Sequence, residues 1–200
     1  LFLSSSLQTH SLPLLHIIHQ IDAQIPVYFL DTGYHFPETI SFKEQLKQQF
    51  GFNIQELRSP VDKINQRDAN GRLMYASEPD YCCYLNKVLP LEPVLKAHDV
   101  WISGVRAGQN AFRADLKTIE KGKHNTLRYH PMLCWTSKMI FAYRKKYDLP
   151  EHPLEAEGYF SIGCMPCTRK MELDGDPREM RWFGLNKTEC GLQTETLEQK

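Results

Sequence analysis

Six cysteines hold most of the reactive potential of this 200-residue chain: Cys82, Cys83, Cys134, Cys164, Cys167 and Cys190. Four fall into close pairs, Cys82-Cys83 and Cys164-Met165-Pro166-Cys167, and four is the number a metal centre demands. Neighbouring side chains on one helix diverge by about 100° and chelate a single ion poorly, whereas a [4Fe-4S] cluster takes one thiolate per iron. The cluster is therefore the favoured reading, with zinc and a redox or vicinal disulfide as alternatives. Cys190 lies in Lys187-Thr188-Glu189-Cys190-Gly191, whose polar flanks predict exposure. Lys187, Arg178 and Arg181 supply positive charge that favours a thiolate, and the two arginines share a face if helical. Together these describe a mobile nucleophile beside an anion cradle. Cys134, between Leu133 and Trp135, has the apolar setting of an inert core thiol.

The apolar pattern predicts the elements that hold these groups. Residues 1–3 form a short strand, Ser4-Ser5-Ser6 a turn, and 12–18 a helix with Pro13 in its first turn, where a missing N–H costs little. The continuous apolar run at 25–30 suits a strand buried on both faces. Beyond Asp31-Thr32-Gly33, Pro37 opens a helix with Phe42, Leu46 and Phe50 on one face, closed by Gly51; strands follow at 52–57 and 100–103. Residues 62–81 are polar and predict a short helix plus loop. Helical turns at 82–88 and 91–96 are separated by Pro90, and 117–125 is a basic, turn-rich exposed loop. A helix at 136–147 carries Trp135, Met139, Tyr143 and Tyr147 as a core-facing stripe. The architecture is α/β, a mostly parallel sheet with helices on both faces.

In such a sheet ligands bind beyond the carboxyl ends of strands, so the turns after strands are the candidate sites. Ser4, Ser5 and Ser6 precede a helix, where hydroxyls and N–H groups suit a phosphate, although serines there are equally N-caps. Asp31-Thr32-Gly33 ends the second strand, with Glu38 in the next helical turn. Arg106 and Arg113 follow the strand at 100–103. Their guanidiniums could pair with a phosphate, the plainer alternative being a solvated or carboxylate-paired arginine.

Composition bounds the partners. Lys plus Arg number 24, as do Asp plus Glu, so no excess charge steers the chain toward nucleic acid or an anionic membrane. No apolar run approaches the roughly 20 residues of a membrane helix, and the chain is read as a soluble single domain, with or without an appendage. The thiol-rich composition favours a reducing cytoplasm. Leu1 is not an initiator methionine and no signal peptide is visible, so residues ahead of it are expected to complete the first strand.

The segments SSSLQTHSLPLLH, VYFLDTGYHFPET, the CC pair, WISGVRAGQNAFR, EHPLEAEGYFSIGCMPCTRK and RWFGLNKTECGL resemble the assimilatory sulfonucleotide reductases, from near Leu3 to Leu192. The resemblance implies an adenine nucleotide alpha-hydrolase-like fold related to the Rossmann type. It also implies conversion of adenylyl sulfate to sulfite and AMP, with thioredoxin or glutaredoxin as reductant. Residues 1–180 would form the nucleotide-binding domain and 181–200 a mobile tail; a homo-oligomer is compatible. Cys190 would be the nucleophile, passing through an S-sulfocysteine, with Lys87, Arg178 and Arg181 around the phosphosulfate. Ser4 to Ser6, Leu30 to Gly33, Arg106 and Arg113 would bind the substrate. Cys82, Cys83, Cys164 and Cys167 match the cluster ligands of the iron–sulfur branch, which implies adenylyl sulfate as substrate. SSS and RWFGLNKTECGL are closer to the cluster-free branch, making the 3′-phosphorylated nucleotide the alternative. Gln8, Ala107, Gly108 and Gln193 depart from the family pattern. An ATP-dependent adenylating enzyme is disfavoured because SSSLQTHS holds no glycine for a pyrophosphate loop, and a non-catalytic nucleotide binder remains the third reading.

Overall fold

The computed structural model describes residues 1–171, 178, 180–182, 184–185, 187 and 189–196. Six strands form one sheet: β1 (Phe2–Ser4), β2 (Val27–Asp31), β3 (Ile54–Arg58), β4 (Val100–Ser103), β5 (Ile119–Lys121) and β6 (Leu127–Tyr129). Their order is β3-β2-β1-β4-β6-β5, parallel throughout except for β5, which runs antiparallel to β6. The order reverses at β1, and the crevice there is where open α/β sheets take ligands.

The helices are α1 (Leu12–Ile21), α2 (Pro37–Phe50), α3 (Met74–Ser77), α4 (Pro79–Cys83), α5 (Leu89–Ala97), α6 (Ala111–Ala114), α7 (Ser137–Lys146) and α8 (Gly191–Thr194). Pro37 opens α2 and Gly51, at φ 68°, closes it, its N–H bonding the Lys47 carbonyl. Only a residue without a Cβ takes that left-handed cap at no cost. Between α4 and α5 the chain makes a π-helical turn, Tyr84–Val88, and continues. Pro90 thus falls in the first turn of α5, where it is tolerated, and does not break the helix as its sequence position suggested.

Alternating strand residues divide the core into two layers. Leu3, Val27, Phe29, Ile54 and Ile102 pack under α1, α2 and α7; Phe2, Leu30 and Trp101 pack under α5 with Leu91, Val94 and Leu95. Helices therefore cover both faces, as the pattern predicted. Three other expectations fail. The exposed loop foreseen at 117–125 contains β5, and β6 follows it, because a three-residue antiparallel pair needs no apolar run. The stripe on α7 is rotated: Ile140 is buried and Tyr143 packs on the core, while Met139 and Tyr147 are exposed at 43% and 41%. Cys134 is exposed, since it closes the turn at 131–134 ahead of α7 and does not enter the core. Among the described residues no helix is long and apolar enough to cross a membrane.

Candidate active site

Beyond the carboxyl ends of β1, β2 and β4 lies a cavity of about 170 Å³. Ser4, Ser5, Ser6, Leu30, Lys87, Arg113, Arg178, Arg181 and Cys190 all line it, so residues from five separate stretches of sequence meet at the sheet's switch point. The serine turn is braced from inside. Trp101 Nε1 donates to Ser4 Oγ at 2.8 Å, the Leu7 N–H to Ser5 Oγ at 3.1 Å, and Gln8 Nε2 to Ser6 Oγ at 3.2 Å. Leu7 sits in the left-handed region at φ 57°, a strained position for a non-glycine residue, and is wholly buried. Gln8, the departure from the family pattern, accepts the Ile162 N–H at 2.9 Å and ties the turn to the segment leading to Cys164.

Cys190 is half-buried, so the exposure predicted from its polar neighbours does not hold. Its docking explains this. Glu189 is buried and accepts from Arg113 Nε at 2.6 Å and Nη2 at 3.0 Å, from Asn110 Nδ2 at 3.0 Å, from Arg178 Nη2 at 3.2 Å and from the Cys190 N–H at 2.8 Å. Burial pushes this carboxyl up, but Arg113 and Arg178 outweigh it and hold it at about 2. Lys87 Nζ stands 3.5 Å from Cys190 Sγ. A hydrogen bond from the Cys83 thiol lowers the Cys190 thiol well below its ordinary range against the cost of burial, and Lys87 adds to the shift. Burial opposes charge on Lys87, yet the surrounding cysteines, Cys190 first, raise its pKa. Trp182 collects the remaining cations: Arg181, Lys187 and Arg178 lie 4.7, 5.7 and 5.9 Å from its ring. Arg178 and Arg181 are not in a helix; what they share is this ring and the cavity.

The paired cysteines meet around a second, smaller cavity of about 10 Å³ that Cys82, Cys83, Cys164 and Cys167 all line. Cys82 accepts from Asn86 Nδ2 at 3.6 Å, and Thr32 Oγ1 contacts Cys164 Sγ at 3.2 Å. Burial, then Cys164 and Cys167, pushes the Cys82 thiol up to about 11; the bond to Cys190 and burial push the Cys83 thiol up. Cys82 and Cys83 thus face different partners, as adjacent helical residues must. Among the described residues no three His, Cys, Asp or Glu side chains converge as one ion requires. Four soft thiols spread around a common space suit a polynuclear cluster better than a single ion. Lys87, Cys164, Arg181 and Trp182 line both cavities and join them.

Four predicted site residues stand apart. Asp31 accepts from Arg58 Nε at 2.9 Å and from the Gly33 N–H at 2.8 Å, turning away from the main cavity. Gly33, at φ 60°, makes that turn possible, and Thr32 belongs to the cysteine cavity. Arg106 lines an adjoining cavity of about 490 Å³, which shares His10 and Arg178 with the first. Sequence reasoning missed His10 and Glu189. Burial, then Arg106, Arg113 and Arg178, lowers His10 to about 3, so it stays neutral among arginines. Glu189 carried a signal, an acidic residue directly ahead of the reactive cysteine.

Residues 1–170 match the family profile described as "Phosphoadenosine phosphosulfate reductase domain". A Rhodococcus opacus protein named "Adenosine 5'-phosphosulfate reductase" is 37% identical over 180 residues, 90% of this chain and 73% of the relative. A Gloeobacter violaceus protein named "Phosphoadenosine 5'-phosphosulfate reductase" is 35% identical over 196 residues, 96% of this chain and 81% of the relative. In fold, the chain is similar to the crystal structure of phosphoadenylyl-sulfate (PAPS) reductase from Candida auris in its phosphate complex. That likeness has a TM-score of 0.71 and 21% identity, over 84% of this chain and 82% of the other.

Proposed function

The chain belongs to the phosphoadenosine phosphosulfate reductase domain family, and from that premise we propose that it is an oxidoreductase of sulfate assimilation that converts adenylyl sulfate to sulfite and AMP. The observation that carries this reading is the 3.5 Å approach of Lys87 Nζ to Cys190 Sγ in a cavity that Arg178, Arg181 and the serine turn also line. A thiolate is the attacking form of cysteine, and a buried ammonium beside it stabilises that form.

In the first step Cys190 Sγ attacks the sulfur of the sulfuryl group. An S–S bond forms, the S–O bond to the phosphate breaks, and AMP leaves with the bonding electron pair. Cationic side chains at the phosphosulfate lower the barrier by meeting charge as it develops on the leaving oxygen; Lys87, Arg178 and Arg181 take this role. The product is an S-sulfocysteine. An external dithiol of the thioredoxin or glutaredoxin class then attacks Cys190 Sγ and expels sulfite. Its second thiol resolves the mixed disulfide, which regenerates the Cys190 thiolate and leaves the reductant oxidised. Ser4 to Ser6, Leu30 and Arg113 hold the nucleotide, with Arg106 reaching it from the adjoining cavity.

Cys82, Cys83, Cys164 and Cys167 would hold a [4Fe-4S] cluster, the group their soft, distributed donor set fits; ligation would take the Cys83 proton and leave Lys87 as the group that favours the Cys190 thiolate. Once bound, it would contribute a local electrostatic field beside the residues the two cavities share. The serine turn and the similarity to the Gloeobacter protein favour a second reading, the 3′-phosphorylated nucleotide as substrate. Turnover of both nucleotides by one anaerobic preparation, with iron and sulfide determined on the same sample, tests the choice. Preference for adenylyl sulfate with bound iron and sulfide supports the first reading; preference for the 3′-phosphorylated substrate, or protein without iron and sulfide, overturns it.

A further inference from the structure

Arg128, in the middle of β6, is a fully buried cation. Its guanidinium lies 4.8 Å from the ring of Trp101, its register partner on β4, which in turn stacks on Phe2 of β1 at 6.0 Å. Cationic groups at such a position need acceptors, because a buried charge without them is expensive. Among the described residues both hydrogen bonds of this guanidinium go to one residue, Gln193: Nη1 donates to its backbone oxygen at 3.1 Å and Nη2 to its side-chain oxygen. Gln193 is buried in α8, the helix that begins immediately after Cys190. Two further contacts tie the same segment down. The Lys123 N–H, in the β5–β6 connection, bonds the Thr196 carbonyl at 2.9 Å, and Leu192 packs against the cluster of Phe2 and Trp101.

A segment that delivers a cysteine first to an enclosed nucleotide and then to an external dithiol must both dock and leave. When α8 leaves, Arg128 loses both acceptors at once, so burial of the cation and docking of the tail are one event. We infer that Arg128 is the positioning residue that holds the Cys190 segment in the cavity, through Gln193, and sets how often that segment undocks. The inference rests on Cys190 being the nucleophile.

The test measures alkylation of Cys190 without substrate, mapped by peptide mass spectrometry, in the full chain and in Arg128→Lys, Arg128→Leu, Gln193→Leu and the double leucine variant. Hydrogen bonds to a charged group contribute about 1.5–3 kcal/mol, so each leucine variant should react about tenfold faster or more. The double variant should react no faster than Arg128→Leu, because the one bond that Gln193→Leu removes, to the side-chain oxygen, is among the two that Arg128→Leu removes. Arg128→Lys, which keeps the charge and loses the paired donors, should fall between. In the Arg128 variants, whose site lies outside the cavity lining, AMP affinity should stay within twofold of the parent while kcat for sulfite falls, a split that a general loss of structure does not give. Should Arg128→Leu fail to fold, Gln193→Leu and Arg128→Lys carry the test. Unchanged alkylation in Gln193→Leu, or effects that multiply in the double variant, would overturn the clamp even if Cys190→Ser is inactive. Faster alkylation together with an active Cys190→Ser would instead overturn the nucleophile assignment, and with it the positioning role.

Discussion

Lys87 and Cys190 are 103 positions apart in sequence and 3.5 Å apart in space. The π-helical turn at Tyr84–Val88 supplies the lysine, and the docked tail supplies the thiol. Everything proposed for the reaction depends on that approach, and several consequences can be measured.

Lys87→Met removes the ammonium but keeps most of its apolar stem. Loss of one preorganised charge at a reacting group typically costs on the order of 10²–10³ in rate, and a fall of that size in kcat is expected here. Lys87→Arg should recover part of it. Equal kcat in Lys87→Met and the parent enzyme would remove the lysine from the mechanism.

Glu189 bridges Arg113 and Arg178, two of the cations expected at the substrate. Breaking a buried pair from one side generally costs about 3–5 kcal/mol, since the partner is left without compensation. Glu189→Ala should therefore undock the tail, shown by faster tryptic cleavage at Arg178, Arg181 and Lys187 and by a lower kcat. Cleavage at the parental rate would mean that the carboxylate does not hold the tail.

His152 is buried, accepts the Leu154 N–H at Nδ1 and meets Thr39 Oγ1 at Nε2, 3.0 Å away. Burial lowers its pKa from 6.5 to about 4. Between those values the unfolded chain binds the extra proton and the folded one does not, so stability falls as pH drops from about 6.5 toward 4 and is retained above. The full effect of one such group is on the order of 3 kcal/mol. His10 and His130, lowered to about 3 and about 4 chiefly by burial, act in the same direction. Urea midpoints at several pH values should show this slope, flattened in His152→Gln; an unaltered slope would exclude His152 as a contributor.

Trp101→Phe retains stacking on Phe2 and Arg128 but deletes the Nε1–H bond to Ser4 Oγ. A loss of about 1 kcal/mol in unfolding free energy is expected. Freeing the serine turn should raise KM with kcat unchanged; an unchanged KM would show that the turn is held by other means.

Much of this arrangement was readable from residue types. Pro37 and Gly51 bracket α2 because each residue has a backbone preference that acts locally, and β4 spans 100–103 as its apolar run predicts. The strand-end turns pointed to the cavity because parallel sheets open there. Contacts that depend on the third dimension were less accessible. Arg113 reads as a phosphate ligand, yet its carboxylate partner is Glu189, far along the chain. Arg128 lies just past the basic loop at 117–125 and carries no signal of its own, because its burial follows from the register of β6 against Trp101. Cys134 has apolar neighbours in sequence but lies in an exposed turn, where adjacency in the chain gives no burial.

The central claim is that Cys190 receives the sulfuryl group. Incubating the protein with adenylyl sulfate in the absence of any dithiol, followed by peptide mass spectrometry, tests it most directly. The account predicts one SO₃ group on Cys190, released as sulfite when thioredoxin is added, and a Cys190→Ser variant that neither forms the adduct nor turns over. An unmodified Cys190 alongside a Cys190→Ser variant that still produces sulfite would contradict it.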